Sequence, residues 1–421
     1  MLKPIAFTAA VLASLHAADA FALNASPLRT AAIRARVAST AAPNLRLAGG
    51  VGSVQMQVSG LQTFTESDTW KRTDIPALLK EGASYFLDDK DVKFVPCSGG
   101  VNNLVQYAMT STGEKYIMRI YNNGGNTKRV RFEHEVLAAL DPQRDKLAFK
   151  VPKYLGTLKD PKVTFVKLSS GAEACMSEVI PGTLPKNADP YILGKAAGEL
   201  CKALTECKVE APCPTPPYFK IYGVHHAMSE EVFYEEIKKP EFDCIRNTAL
   251  PKLVAELERL DKQMIGAEAI KRNEGKYPMQ LIHGDLHYDN VLVDGDKVSG
   301  LLDFEFAAQD WRAMEPAVCL TKYAADKEPF KLMDAFLDGF VEKGVLTRAE
   351  VAGLPDMINL RIMSNVIYFI GRAIAKEDTL EALTSRADMY ASRIEWVNTN
   401  ADKLIKSLTA KMEAKLGKDF K

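Results

Sequence analysis

The stretch that most restricts the fold of this chain is residues 279–306, MQLIHGDLHYDNVLVDGDKVSGLLDFEF. Three apolar runs, at 279–282, 291–293 and 300–302, have the length of short strands bounded by polar turns. His283-Gly284-Asp285, Asn290 and Asp303-Phe304 fall at the edges of those runs, where binding and catalytic side chains tend to sit. Asp and Asn favour turns for local reasons, so one carboxylate placed there would prove nothing. Two carboxylates and an amide at successive strand ends form a set of hard oxygen donors, which is what Mg²⁺ requires.

The spacing Asp-x-x-x-x-Asn, then a strand, then Asp-Phe resembles a kinase catalytic loop and its metal-binding Asp. Transfer of the γ-phosphoryl group of ATP depends mostly on positioning and charge neutralisation. On this reading Asp303 binds the Mg²⁺ that bridges the β- and γ-phosphates, and Asn290 holds a second ion through its carbonyl oxygen. Asp285 accepts a hydrogen bond from the substrate hydroxyl and takes its proton late. Two departures separate the stretch from protein kinases: Gly284 replaces the Arg before the catalytic Asp, and Glu305 replaces the Gly of Asp-Phe-Gly. The chain then soon reaches Trp311-Arg312-Ala313-Met314-Glu315, leaving no room for a long activation segment.

The stretch resembles the aminoglycoside phosphotransferase and choline kinase superfamily, and LIHGDLHYDNVLVDGDKVSGLLDFEFA is most similar to bacterial type II homoserine kinases. The resemblance spans about residues 75–400 and is strongest at the catalytic loop. It implies an α+β, two-lobed, protein-kinase-like fold. An N-terminal antiparallel sheet lobe with one helix (56–182) would precede a larger, mostly helical lobe (183–421) that carries catalysis and substrate binding. The implied cofactors are ATP and Mg²⁺, and the implied partner is a small-molecule hydroxyl acceptor.

Ahead of these lobes lies a segment with a different composition. Residues 1–20 combine one Lys, a short apolar core and Ala18-Asp19-Ala20, the pattern of a secretory signal peptide and too short for a membrane anchor. From 21 to 65 there is no acidic residue, while Arg29, Arg34, Arg36 and Arg46 lie among Ala, Ser and Thr, as in a transit peptide. With Phe21 at the junction, the leader resembles the bipartite address of proteins bound for secondary plastids, with 21–55 as its transit-like part. The alternative is a secretory signal followed by a spacer. Neither reading leaves a stable membrane insertion after leader removal. Lys+Arg and Asp+Glu are both 54, which removes any bias toward nucleic acid. The seven cysteines are scattered without a Cys-x-x-Cys pair, as in a reducing compartment, and Cys207 with Cys213 is the one pair considered as a redox switch.

The rest of the chain supplies the parts around the central stretch. After a helix at 75–87, alternating apolar residues around Gly99-Gly100 and Thr112-Gly113 predict three strands. The loop between the first two, with Ser98, Gly99, Gly100 and Asn102, would cover the phosphates. Arg119 in the third strand would grip the α- and β-phosphates, a task that suits an Arg fork. A helix at 129–140 would orient Arg119 through Glu133, chosen by its register with Leu137 and Leu140, or through Glu135. Strands at 163–167 and 174–180 end in Pro181-Gly182, a hinge whose backbone near Glu178 and Ile180 would pair with adenine.

In the second lobe, helices are expected at 190–204, 261–272, 329–343, 349–375 and 380–408. A Pro-rich loop follows the first of them. His225 and His226 read as structural or exposed. Tyr323, Asn365, Tyr368 and Arg372 could face the acceptor or equally be satisfied core groups, while the resemblance implies a bracing place for Asp310 and for Glu315, where Glu315-Pro316 departs from the more usual Asp-Leu. The reading that follows is a small-molecule kinase, with a homoserine-like amino acid as first acceptor and choline or ethanolamine as second. The competing class is a catalytically silent binding protein on the same scaffold.

Overall fold

The computed structural model describes residues 74–97, 103–122, 126–185 and 188–421. The leader and the positions Ser98, Gly99, Gly100 and Asn102 lie outside the described residues. Helix α1, Ile75–Ser84, starts where Asp74 accepts a hydrogen bond from the Ala77 amide, with Pro76 in its first turn. The alternating apolar segments then form a five-stranded antiparallel sheet: β1 (Lys93–Pro96), β2 (Leu104–Met109), β3 (Lys115–Ile120), β4 (Phe165–Lys167) and β5 (Glu173–Glu178), ordered β1-β2-β3-β5-β4. Arg119 lies opposite Cys175 in the β3–β5 pair, at the centre of the sheet. Helix α2, Thr127–Ala139, lays Val130, Phe132, Glu133, Val136 and Leu137 onto the buried side. Strand β5 ends two residues before Ile180, shorter than the alternation suggested.

The remainder is mostly helical. Helix α3 (Pro190–Thr205) is followed by two short helices, α4 (Glu230–Glu236) and α5 (Asp243–Arg246). Helix α6 (Leu250–Leu260) buries Leu250, Leu253, Leu257 and Leu260, one stripe at three- and four-residue spacing. The expected 261–272 helix is broken. A single π turn, Asp261–Ile265, stops at Gly266, and α7 restarts at Ala267–Arg272. Gly266, extended at ψ 155°, is packed against the Asp261 carbonyl and carboxylate, where a side chain on it would collide in this turn.

The central stretch is built as two separate pairs. Strand β6 (Met279–Ile282) pairs antiparallel with β9 (Ala308–Trp311), and β7 (Val291–Asp294) pairs with β8 (Lys297–Leu301) across an Asp-Gly turn in which Gly295 has φ +61°. Strand β9 is not apparent from alternation because Asp310 occupies a fully buried position in it. Helices α8 (Met314–Leu320), α9 (Pro329–Lys343), α10 (Arg348–Ile374) and α11 (Leu380–Leu416) close the core. Helix α9 packs tightly on α3 because Gly194 and Gly198 face the Phe336 and Phe340 carbonyls while Gly339 faces that of Tyr191. Helix α10 begins with a capping box between Thr347 and Glu350. Among the described residues no helix is long and apolar enough to cross a membrane.

Candidate active site

Two charged clusters meet at the ends of the central strands. In the first, Arg119 of β3 donates through Nη1 to Glu133 Oε1 at 3.0 Å and through Nη2 to Asp303 Oδ1 and Glu305 Oε2, each at 2.9 Å. The choice between the two helix acids is settled by burial. Glu133 is 1 % exposed and bonded to Arg119 and the Tyr154 hydroxyl, whereas Glu135 accepts from the Ala211 amide. Glu305, read in the sequence only as a departure from Asp-Phe-Gly, also accepts from Asn103 Nδ2 at 2.9 Å and so ties β2 to the site. Asp303 holds a left-handed backbone, φ +66°, a strained conformation of the kind found where a side chain must be aimed.

In this cluster one guanidinium faces three carboxylates, Glu133 buried and Asp303 and Glu305 partly exposed. Burial pushes the Glu133 carboxyl above its ordinary range, against the pull of Arg119, and leaves Glu133 Oε2 without a hydrogen-bond partner. Asp303 is raised in the same way by burial and by the neighbouring Glu133 and Asp285, again against Arg119. Carboxylate oxygens that raise one another's pKa in this way fit a hard divalent cation. Asn290 fits as well: its Nδ2 donates to the Asp285 carbonyl at 2.9 Å, which assigns its own carbonyl oxygen to the other side.

The second cluster surrounds Asp285. Arg361 Nη2 reaches Asp285 Oδ1 at 2.7 Å, and His287 Nε2 lies 3.5 Å from Oδ2. Burial alone would raise the Asp285 carboxyl, but His287, Arg361 and Lys322 outweigh it and hold the group well below the usual carboxylate range. Asp285 is therefore ionised at neutral pH and suited to orienting a hydroxyl rather than to strong proton abstraction. Arg361 was not singled out from the sequence. It is the first member of a stripe on α10 that continues through Asn365, Tyr368 and Arg372, and it donates to Asn365 Oδ1 as well. Of the residues expected to face the acceptor, Asn365 thus joins the Asp285 cluster through Arg361. Tyr368 and Arg372 lie farther along, against His225, Glu377 and Asp378, and Tyr323 is buried.

The loop that presents Asp285 is held by backbone hydrogen bonds. His283 is fully buried, donates from Nε2 to the Leu302 carbonyl at 2.9 Å and accepts at Nδ1 from the Asp285 amide. Burial lowers its pKa to about 4, so it stays neutral and links the catalytic loop to the strand end before Asp303. Gly284 has φ +77° and lies against the Phe306 carbonyl, so neither Arg nor any other side chain fits there. Tyr218 of the Pro-rich loop donates its hydroxyl to the Gly284 carbonyl and its amide to Asp310 Oδ2, both at 2.6 Å. That loop thus braces the catalytic loop. Asp310 and Glu315 have the bracing places expected of them, Glu315 accepting from the His283 amide at 2.5 Å.

The hinge is narrower than the strand alternation implied. The Glu178 amide is taken by the Lys153 carbonyl and its side chain by Lys153 Nζ. Ile180, beyond the strand end, makes no backbone hydrogen bond among the described residues. His225 is buried and His226 is exposed, both beside Glu377 and apart from the Asp285 cluster. Cys207 and Cys213 are free thiols that donate to different carbonyls.

Burial raises Glu315 to about 7 against its backbone donors. The folded state therefore keeps this proton up to about pH 7, whereas an unfolded Glu loses it near pH 4.3. Its contribution is complete below that unfolded value and is lost as pH rises through 7, a span worth about 4 kcal/mol. Glu315→Gln keeps an acceptor for the His283 amide and should flatten the loss of stability between pH 5 and 8. Urea denaturation at both pH values measures it, and an unchanged slope would contradict the assignment.

The fold is shared with known kinases. Residues 93–354, more than half of the chain, match the phosphotransferase enzyme family. A homoserine kinase of Sinorhizobium fredii is 36% identical over 118 residues, covering 25% of this chain and 36% of that protein. The chain thus spans about a third of the length of such relatives, although a Zymomonas mobilis homoserine kinase aligns at 25% identity over 73% of this chain and 82% of its own. A microcompartment-associated aminopropanol kinase shares the fold with a TM-score of 0.61 at 13% identity, covering 79% of this chain and 98% of that one. An amicoumacin kinase solved with AMP-PNP and Ca²⁺ gives a TM-score of 0.52 at 16% identity, covering 77% of this chain and 92% of its own. With its kinase-like sheet, helical remainder and catalytic loop, the chain belongs to the phosphotransferase enzyme family.

Proposed function

We propose that this protein transfers the γ-phosphoryl group of ATP to the hydroxyl of a small metabolite, with homoserine or a close analogue as the first acceptor. The observation that carries the reading is the meeting of two charged clusters at one set of strand ends. In the first, Arg119 faces the carboxylates of Glu133, Asp303 and Glu305; in the second, Arg361 and Lys322 face Asp285 and Asp289 beside His287. The first fits the metal-bound phosphates of a nucleotide, and the second fits the acceptor. The relatives named homoserine kinase support the choice of acceptor.

Asp303 and Asn290, with Glu305 at hand, would hold Mg²⁺, which supplies charge neutralisation of the phosphates when bound. Arg119, held on β3 by Glu133, would then turn its fork to phosphate oxygens. The loop 98–102 would lie over those phosphates, and the backbone at Ile180 would meet the base. Asp285, fixed by Arg361 and His287, would receive the acceptor hydroxyl and orient its oxygen toward the phosphorus, taking the proton as the new bond forms.

Asp285→Asn should lower kcat for phosphoryl transfer about 10²–10⁴-fold, with ATP still bound. Phosphate-31 NMR with ATP and a panel of hydroxy amino acids, amino alcohols and sugars measures it. Undiminished turnover in that variant would exclude Asp285 as the acceptor-orienting group, and its role with it. We further propose a plastid address for residues 1–55, supported by their signal-like and transit-like halves. Fused to a fluorescent protein in an alga with a secondary plastid, the segment should deliver it to that organelle. Secretion of the fusion would favour the spacer reading.

A further inference from the structure

The large buried cations of this protein are paired, with one exception. Arg119 has Glu133, Asp303 and Glu305; Arg312 has Glu350; Arg361 has Asp285. Arg393 on α11 is 7 % exposed, yet it forms no ion pair among the described residues, and its Nε is buried without a hydrogen-bond partner. Its nearest polar surroundings are aromatic: its guanidinium lies 6.0 Å from the centre of the Tyr390 ring. Removing a guanidinium from water without a counter-charge is among the costlier arrangements a fold can hold, and sites that tolerate it are commonly completed by an anion.

The position of Arg393 says which anion. Helix α11 packs against the turn Tyr323–Ala325, next to Lys322, and against α10, which carries Arg361. Lys322 Nζ is 3.2 Å from Asp289 Oδ2 and 5.7 Å from the centre of the Tyr288 ring, both in the catalytic loop. Tyr390 is itself ringed by Arg393, Arg361 and Arg386. Arg361 is committed to Asp285, and Arg386 to Asp378 at 2.8 Å. The carboxylates nearby are also engaged, Asp289 by Lys322 and His287, and Asp326 by the Lys327 amide. Burial lowers the Arg393 pKa, against the neighbouring Tyr390 and Tyr288, as expected of a cation still lacking its partner.

We propose that Arg393, with Lys322 beside it, receives a carboxylate of the acceptor, so that the substrate is a hydroxy acid and not a cationic amino alcohol. The inference rests on the kinase reading given above and specifies its acceptor side. A planar carboxylate matches the fork of a guanidinium, and bidentate pairing would satisfy the arginine that the protein alone leaves open. An acceptor that carries an ammonium but no carboxylate would instead leave Arg393 unpaired.

The test uses the full chain and three acceptors that share one skeleton: homoserine, 4-hydroxybutanoate (without the amine) and 3-aminopropan-1-ol (without the carboxylate). The wild type should phosphorylate the two acids and discriminate against the amino alcohol. Arg393→Met should raise KM for the acids roughly 10- to 100-fold, the range for losing a charged hydrogen bond, while KM for ATP stays unchanged. Arg393→Lys should recover part of that loss. Preference of the wild type for 3-aminopropan-1-ol, or an equal loss for all three acceptors in Arg393→Met, would overturn the proposal and leave the kinase reading standing. Absence of transfer to every acceptor tried, whatever its charge, would instead defeat the kinase reading and this inference with it. The wild-type comparison decides the matter even if the Met variant does not fold.

Discussion

The contact on which the rest of this structure depends is the one Arg119 makes with three carboxylates from two different segments. Glu133 comes from the helix packed on the sheet, and Asp303 and Glu305 come from the turn after β8. One planar side chain therefore fixes the helix, the sheet and the end of the catalytic stretch at once. Arg119 faces three carboxylates, of which Glu133 is buried and Asp303 and Glu305 are partly exposed. On the proposed reading, such a cluster is a resting arrangement of groups that would be shared with a divalent cation and with phosphate oxygens.

Around Asp285, Arg361 and Lys322 offset the carboxylates of Asp285 and Asp289. A general base is usually tuned toward the working pH, yet here the surrounding cations hold the carboxyl well below its ordinary range. That suits phosphoryl transfer through a loose transition state, in which the acceptor oxygen needs aiming more than early deprotonation. The precision is supplied by neighbours that do no chemistry. His283 ties the loop to Leu302, Tyr218 ties it to Asp310, and Glu315 receives the His283 amide. Gly284 lets the chain pass the Phe306 carbonyl where a side chain would collide.

The parts of this site closest in sequence were the most legible. Asp285, Asn290 and Asp303 stand at strand ends within one short stretch, so spacing alone groups them. Glu133 could be preferred over Glu135 because helical periodicity says which residues share the face of Leu137 and Leu140. Arg361 was not legible for the same physical reason read backwards. Periodicity places it in a stripe with Asn365, Tyr368 and Arg372, but says nothing about which end of a 27-residue helix meets the catalytic loop. Strand β9 was hidden because its buried Asp310 breaks the apolar pattern, its cost being offset by backbone donors from Tyr218 and Trp311. The break at Gly266 depended on the Asp261 carbonyl occupying the space of a missing side chain, a tertiary fact with only a glycine to mark it.

The account is tested most directly by measuring ATP binding to the full chain by calorimetry, with Mg²⁺ and again with the metal chelated. Excess carboxylate at Arg119 should make nucleotide binding depend on the divalent ion, with affinity falling at least about tenfold when it is removed, a difference of about 1.4 kcal/mol. In Asp303→Asn, which removes one of the three negative charges, that dependence should shrink. Equal affinity with and without Mg²⁺ would contradict the claim that the Arg119 cluster is built around a metal-bound phosphate.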